Sequence, residues 1–188
     1  HSYADDGTYN VMLTVRDDDG ATDSIIKQIV VSNVAPVAAN DTTITNEDTV
    51  IIINVSANDY DVDGVLNFSS IVIIDFPMHG NVVINANGTV TYMPDTNYYG
   101  YDEFSYTIED DDGATSNVAH VNITILSVND IPIAVNDTAT TDEDVTVFIN
   151  VSQNDYDIDG EIDLTSISIV DYSIHGSLEV YPNGTVKY

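Results

Sequence analysis

Three aspartates at alternate positions, closed by a glycine, occur twice: Asp59-x-Asp61-x-Asp63-Gly64 and Asp155-x-Asp157-x-Asp159-Gly160. Alternate side chains of a short loop point inward, carboxylate oxygens suit a hard cation, and glycine takes the sharp bend. The chemistry this offers is calcium binding. An EF-hand would need a bidentate glutamate at the twelfth position, where Ser70 and Ser166 stand, so neither loop is one. A second acidic pair, Glu47-Asp48, recurs as Glu143-Asp144. The plainer reading is that Asp, Asn and Gly cap turns and keep an exposed loop solvated. Duplication of the loop, beside a second acidic pair and with almost no counter-charge, favours the cation.

Other residues with chemical potential are harder to enlist. The runs Asp17–Asp19 and Asp110–Asp112 fit hairpin turns. His79 and His175 each precede a glycine and read as packed or turn histidines. No Ser, Lys or Cys forms a nucleophile-and-base set with them, so catalysis is not expected. Tyr98-Tyr99-x-Tyr101 could be a sugar platform, but core and corner aromatics are the favoured reading. Asn-x-Ser/Thr acceptors occur at Asn40, Asn54, Asn67, Asn87, Asn122, Asn136, Asn150 and Asn183, candidates for N-glycosylation in an exported chain. Asn-Gly-Thr at Asn87 and Asn183 is also a natural hairpin turn.

Composition narrows the field. Three Lys+Arg against 32 Asp+Glu give a formal charge of −29 over 188 residues. That deficit of cations excludes a nucleic-acid groove or an anionic-membrane surface. A hydrophobic content of 43% supplies a core, and the absence of cysteine removes disulfides and thiolate chemistry. No apolar run reaches membrane-spanning length. The opening His1-Ser2-Tyr3, without Met, reads as an internal or processed start.

The elements that would position these residues are strands. β-branched runs such as 49–55 and 70–75 alternate with Asn-Gly and Asp-Gly turns, and no amphipathic helix is evident. The expected fold class is all-β, as tandem sandwiches. Residues 40–92 align with 136–188 at an offset of 96, with 27 of 53 pairs identical. Asp17-Asp18-Asp19-Gly20-Ala21-Thr22 recurs as Asp110-Asp111-Asp112-Gly113-Ala114-Thr115. Three segments follow: 1–33, the last two strands of one sandwich; 37–128, a complete repeat; and 133–188, the first part of another. The complete repeat has strands expected near 50–55, 70–75, 81–85, 89–93, 102–109 and 117–126. Pro36 and Pro132 stiffen the linkers.

His1-Ser2-Tyr3 with Gly7-x-Tyr9-x-Val11-x-Leu13-x-Val15-x-Asp17-x-x-Gly20 resembles the C-terminal half of a PKD domain. Residues 37–188 resemble the cadherin-like, Ig-like tandem repeats of bacterial surface proteins and adhesins. The resemblance rests on Asn40-Asp41-Thr42, Glu47-Asp48, Ile53-Asn54-Val55, Asn58-Asp59-x-Asp61-x-Asp63-Gly64, His79-Gly80, Asn87-Gly88-Thr89-Val90 and Tyr92, with their mates. It implies extracellular, non-catalytic sandwiches in which Glu47 or Asp48 and the linker complete the calcium shell. Asn129-Asp130-x-Pro132 resembles the cadherin interdomain motif; Asn33-Val34-x-Pro36 lacks that aspartate. The implied function is a calcium-rigidified rod or filament segment at the cell surface. Its partners would be neighbouring repeats or copies joined head to tail, by covalent continuation or by strand donation, and also glycans or cell-surface ligands. The alternative is a carbohydrate-binding or spacer module of a large secreted enzyme.

Overall fold

Alternation of apolar and polar side chains decides which stretches pair. The computed structural model describes residues 6–188, so His1-Ser2-Tyr3 of the PKD-like motif lies outside the described residues. The chain divides into two compact units, His1–Leu126 and Ser127–Tyr188.

In the first unit β1 (Gly7–Arg16) and β2 (Thr22–Val31) form an antiparallel two-stranded hairpin. A sandwich follows. One sheet has the order β3 (Asp41–Asn46), β9 (Ala119–Leu126), β8 (Gly100–Asp110) and β5 (Leu66–Asp75); β3 runs parallel to β9 and the other pairs are antiparallel. The other has the order β4 (Ile51–Ile53), β7 (Val90–Pro94) and β6 (Gly80–Ile84). Phe104, Tyr106 and Ile108 of β8 point inward at every second position. They are fully buried among Ile71, Ile73, Val121 and Ile123 and, from the second sheet, Ile53, Val90 and Tyr92. Burial of each such side chain is worth about 1.5–3 kcal/mol, and this shared core holds the sheets together.

The repeated His-Gly pair has a packing cause. A Cβ on Gly80 would lie 2.6 Å from the Met93 carbonyl oxygen and 2.7 Å from the Tyr92 ring, so only glycine fits where β6 crosses that ring. His79 stacks on Tyr98, with ring centroids 3.9 Å apart. Tyr98 is thus packed as expected. Tyr99 and Tyr101 are not: both are exposed, Tyr101 to 80%, because Tyr101 faces outward from β8. Strand β3 was not expected at all.

The second unit holds a sheet of order β10 (Phe148–Asn150), β12 (Thr185–Lys187) and β11 (Glu179–Val180), with a 3-10 turn at Leu164–Ser166. Its pairing Ile149↔Val186 repeats Ile53↔Val90 at the same offset. The bridge Ile133↔Tyr156 likewise repeats Val37↔Tyr60. Counterparts of β3 and β5, residues 137–142 and 162–171, form no strand.

Candidate metal centre

Each aspartate of the first loop answers to a different neighbour. Asp59 turns toward the sandwich: Ala39 N donates to its Oδ1 at 2.8 Å, and the buried Tyr106 hydroxyl lies 3.0 Å from its Oδ2. That hydroxyl also reaches the Val55 carbonyl at 2.6 Å and Asp41 Oδ2 at 3.4 Å. Two carboxylates thus share one tyrosine at the start of β3. Burial, then the charge of Asp59, pushes Asp41 up to about 6, and burial also raises Asp59. Desolvation and the same two carboxylates hold the Tyr106 hydroxyl protonated.

Asp61 and Asp63 face the other way, toward the end of β8. Leu66 pairs with Asp110, so the loop just before β5 lies against the turn that follows β8. Asp63 N donates to Asp61 Oδ1 at 3.2 Å, and Val65 N to Asp111 Oδ1 at 2.9 Å. A Cβ on Gly64 would fall 2.7 Å from Asp111 Oδ1 and 3.1 Å from Asp61 Oδ2, so the glycine gives these carboxylates room to converge. The segment after β2 is tied in as well: Val34 N donates to Asp63 Oδ2 at 3.0 Å and Asn33 Nδ2 to Asp110 Oδ2 at 2.9 Å. Asp63 is held above the ordinary carboxylate value by desolvation and then by Asp61 and Asp110. For Asp110 burial acts upward, but donors from Asn33, Ala114, Asp112 and Gly113 bring it below the ordinary value.

Two oxygens in this cluster, Asp61 Oδ2 and Asp63 Oδ1, are shielded from solvent and accept no hydrogen bond. Shielded carboxylate oxygens without donors are costly unless a cation meets them. The donor set therefore suits a hard cation. Even so, no group of three His, Asp or Glu side chains among the described residues is already gathered for one.

Glu47 and Asp48 do not join the 59–64 loop of their own unit. β3 separates them from it: Asp59 lies beside Ala39 and Asp41 at the start of that strand, whereas Glu47 N bonds to Leu126 O beyond its end. Six residues of strand span roughly 20 Å. Glu47 is buried there, and Asp48, at a φ of 54°, accepts from Asn97 N. Beside the 59–64 loop stand Asp110 and Asp111, for which the sequence favoured a hairpin turn. They do form that turn, yet they also face the loop. The signal that finds them is the β5–β8 pairing.

The second unit repeats part of this. Asp130 N donates to Asp159 Oδ1 at 3.1 Å, in the place of Val34 N on Asp63. Asp159 N and Gly160 N donate to Asp157 Oδ1, and Val135 N to Asp155 Oδ1. Glu143 and Asp144 line a separate cleft of about 620 Å³ with His175 and Tyr188.

All eight Asn-x-Ser/Thr asparagines are exposed. In four, the motif's own hydroxyl donates to the asparagine oxygen: Ser56 to Asn54, Ser69 to Asn67, Thr89 to Asn87 and Ser152 to Asn150. Asn183 accepts from Thr185 N, and Asn40 accepts from His120 N across to β9. The motif therefore serves the backbone turns directly.

Residues 33–127, just over half of the chain, match the bacterial cadherin-like domain. The chain belongs to that family. Residues 129–188 of this cadherin-like chain match the bacterial Ig domain. No curated protein matches it. Among solved structures it is similar to endo-fucoidan hydrolase MfFcnA4 from glycoside hydrolase family 107, at 17% identity and a TM-score of 0.39, covering 97% of this chain and 29% of that one. It is also similar to fibronectin(III)-like modules of Clostridium thermocellum CbhA, at 18% identity and a TM-score of 0.31, covering 65% of this chain and 64% of that one. The cadherin-like chain thus spans under a third of the hydrolase. Among the described residues no helix is long and apolar enough to cross a membrane.

Proposed function

We propose that this chain is a non-catalytic structural segment of an extracellular, cell-surface repeat protein whose units calcium stiffens. The observation that carries the reading is the pair of shielded oxygens on Asp61 and Asp63, facing Asp110 and Asp111 in a chain of charge −29. Asp61 and Asp63 would hold the ion, with Asp110 and Asp111 beside them; Asp157 and Asp159, with Asp130, would do so in the second unit. A bound calcium supplies positive charge that offsets repulsion among clustered carboxylates. The chain's part is mechanical. Val34 N and Asn33 Nδ2 anchor the segment after β2 to the same carboxylates, so neutralising the cluster fixes that segment. The exposed asparagines offer acceptors for glycans on such a surface. Thermal unfolding in calcium and in chelator tests this. The melting temperature rises with calcium, because a ligand bound only by the folded state stabilises by about 2.7 kcal/mol at a hundred times its Kd. Identical curves overturn the reading.

A second reading, a carbohydrate-binding module, draws on one feature. Tyr101 and Phe76, exposed to 80% and 70%, flank a cleft of about 460 Å³ bearing Asp75, Glu103 and Asn122. Asp102 holds the 76–79 loop rigid by accepting from Met78 N and His79 N. Flat apolar rings beside hydrogen-bonding groups are the chemistry that binds a neutral saccharide. Titration with neutral oligosaccharides, lost in Tyr101→Ala, would support it; no heat or shift with any of them would remove it.

A further inference from the structure

Charge is shared unevenly between the two sheets of the sandwich. Charged residues make up 19% of the chain, yet none stands at 49–58 or 76–94, the segments that supply all of β4, β6 and β7. The other sheet presents Glu103 and Glu109 outward from β8, at alternate positions to the buried Phe104, Tyr106 and Ile108.

The outer face of the β4-β7-β6 sheet is apolar as well as uncharged. Ile53, Val90 and Tyr92 point into the core, so Ile52, Thr91 and Met93 point out. Ile52 and Val83 both lie opposite Thr91, and Met93 lies opposite Asn81. Ile52 is 67% and Val83 62% exposed, side by side across one central strand. The polar side chains at one end of this face satisfy one another. Asn85 Nδ2 donates to Thr89 Oγ1 and Thr91 Oγ1 at 3.0 Å each, and Thr89 Oγ1 donates to Asn87 Oδ1 at 2.7 Å. Covering groups that are already paired costs little desolvation.

The equivalent sheet of the second unit is protected where this one is not. Phe148, Glu179 and Lys187 stand at the positions of Ile52, Val83 and Thr91. Lys187 lies opposite both of the others, and its Nζ is 3.5 Å from Glu179 Oε2. Exposed charges on a sheet keep other protein surfaces off it. The same sheet without them is open to a neighbour.

Charge also selects the neighbour. A cationic partner is drawn to the acidic remainder of the chain rather than to this face. Two copies, each of charge −29, repel wherever carboxylates would be opposed. Of the sandwich's two sheet faces, this is the one through which copies touch without that opposition.

We propose that the outer face of β4-β7-β6 docks on the same face of a second copy, as a two-fold dimer with Ile52 and Val83 at its centre. The contact is isologous and closes at two. Three strands of up to five residues cover roughly 15 by 17 Å, well under the about 800 Å² per partner of a standard interface, so the dimer is weak. Sedimentation velocity of the 188-residue chain, from micromolar to about 1 mM and at low and high salt, tests it. The expected result is a reversible monomer–dimer equilibrium that tightens with salt, because screening removes long-range repulsion while the uncharged contact is untouched. Val83→Glu raises the dimer Kd roughly tenfold or more, because two carboxylates are then opposed. Val83→Glu/Thr91→Lys, the pair that the second unit already carries on this sheet, also weakens the dimer while the sandwich's melting temperature is retained. Ile44→Glu, at an exposed aliphatic residue on β3 of the other sheet, leaves the equilibrium unchanged. A monomer at every concentration overturns the proposal and leaves the face to a partner of other chemistry. Association that Ile44→Glu weakens as much as Val83→Glu overturns it too, as does growth beyond a dimer that neither variant changes.

Discussion

Residues 40–92 and 136–188 share half their sequence and the same order of motifs, yet among the described residues only the first is followed by β8 and β9, with which it forms a sandwich. The difference lies in partners, not in intrinsic preference. The sheet β4-β7-β6 finds all three of its strands within 40–94, and its mate β10-β12-β11 forms with the same register in 136–188. The other sheet depends on β8 and β9, which have no counterparts within 133–188. There the mates of β3 and β5 carry suitable residues and form no strand among the described residues. A strand is a property of two segments, because its backbone donors and acceptors must be answered by a neighbour.

The largest expected effect comes from attacking β8 itself. Phe104→Ala opens a cavity in the first unit and costs about 3–5 kcal/mol there. Denaturant unfolding should show that loss in the first unit with the second transition unmoved. A shared loss would mean that the two copies are not independent.

Matched substitutions in the two copies sharpen the comparison. Ile73→Ala removes a side chain buried in the shared core beside β8 and costs about 2–5 kcal/mol, while Ile169→Ala, at a half-buried site, costs well under that. Equal losses would show that residues 162–171 pack into a core as well filled as that beside β8.

A smaller effect is set by pH. Asp41 holds its proton to about pH 6 in the folded unit, against 3.8 ordinarily. Between those values the folded state binds more protons, so this group's contribution to stability falls as pH rises from about 4 to about 6 and stays low above. Asp41→Asn should therefore raise the melting temperature at pH 7 in chelator, with the gain fading as pH falls through about 6. Asp137→Asn, at the exposed mate, should change stability by less than about 0.5 kcal/mol. A pH-independent gain at position 41 would contradict the half-buried carboxylate pair. Smallest is Ser56→Ala: it removes the bond from Ser56 Oγ to Gly88 O and costs about 1 kcal/mol in unfolding assays.

The all-β class, the repeat and the hairpin were legible because apolar alternation and Asn-Gly or Asp-Gly turns are local signals. Strand β3 was not. Asp41-Thr42-Thr43-Ile44-Thr45-Asn46 is polar, its one aliphatic residue faces solvent, and only β9 alongside makes it a strand. The loop aspartates were legible by spacing, but their division was not. Asp59 turns to Tyr106, Asp61 and Asp63 to Asp110, and both neighbours lie more than forty residues away. The distance between Glu47-Asp48 and the 59–64 loop was likewise not legible, because a whole strand that the sequence did not announce, β3, lies between them. Tyr101 was expected in a core because tyrosine repeats suggest one; its outward register on β8 decided otherwise.

The central claim is that Asp61 and Asp63 hold calcium, and calcium titration by calorimetry tests it most directly. The account predicts saturable binding by the intact chain and the loss of one equivalent in Asp61→Asn/Asp63→Asn, with the fold retained by circular dichroism. An ion count unchanged by that double substitution would contradict it.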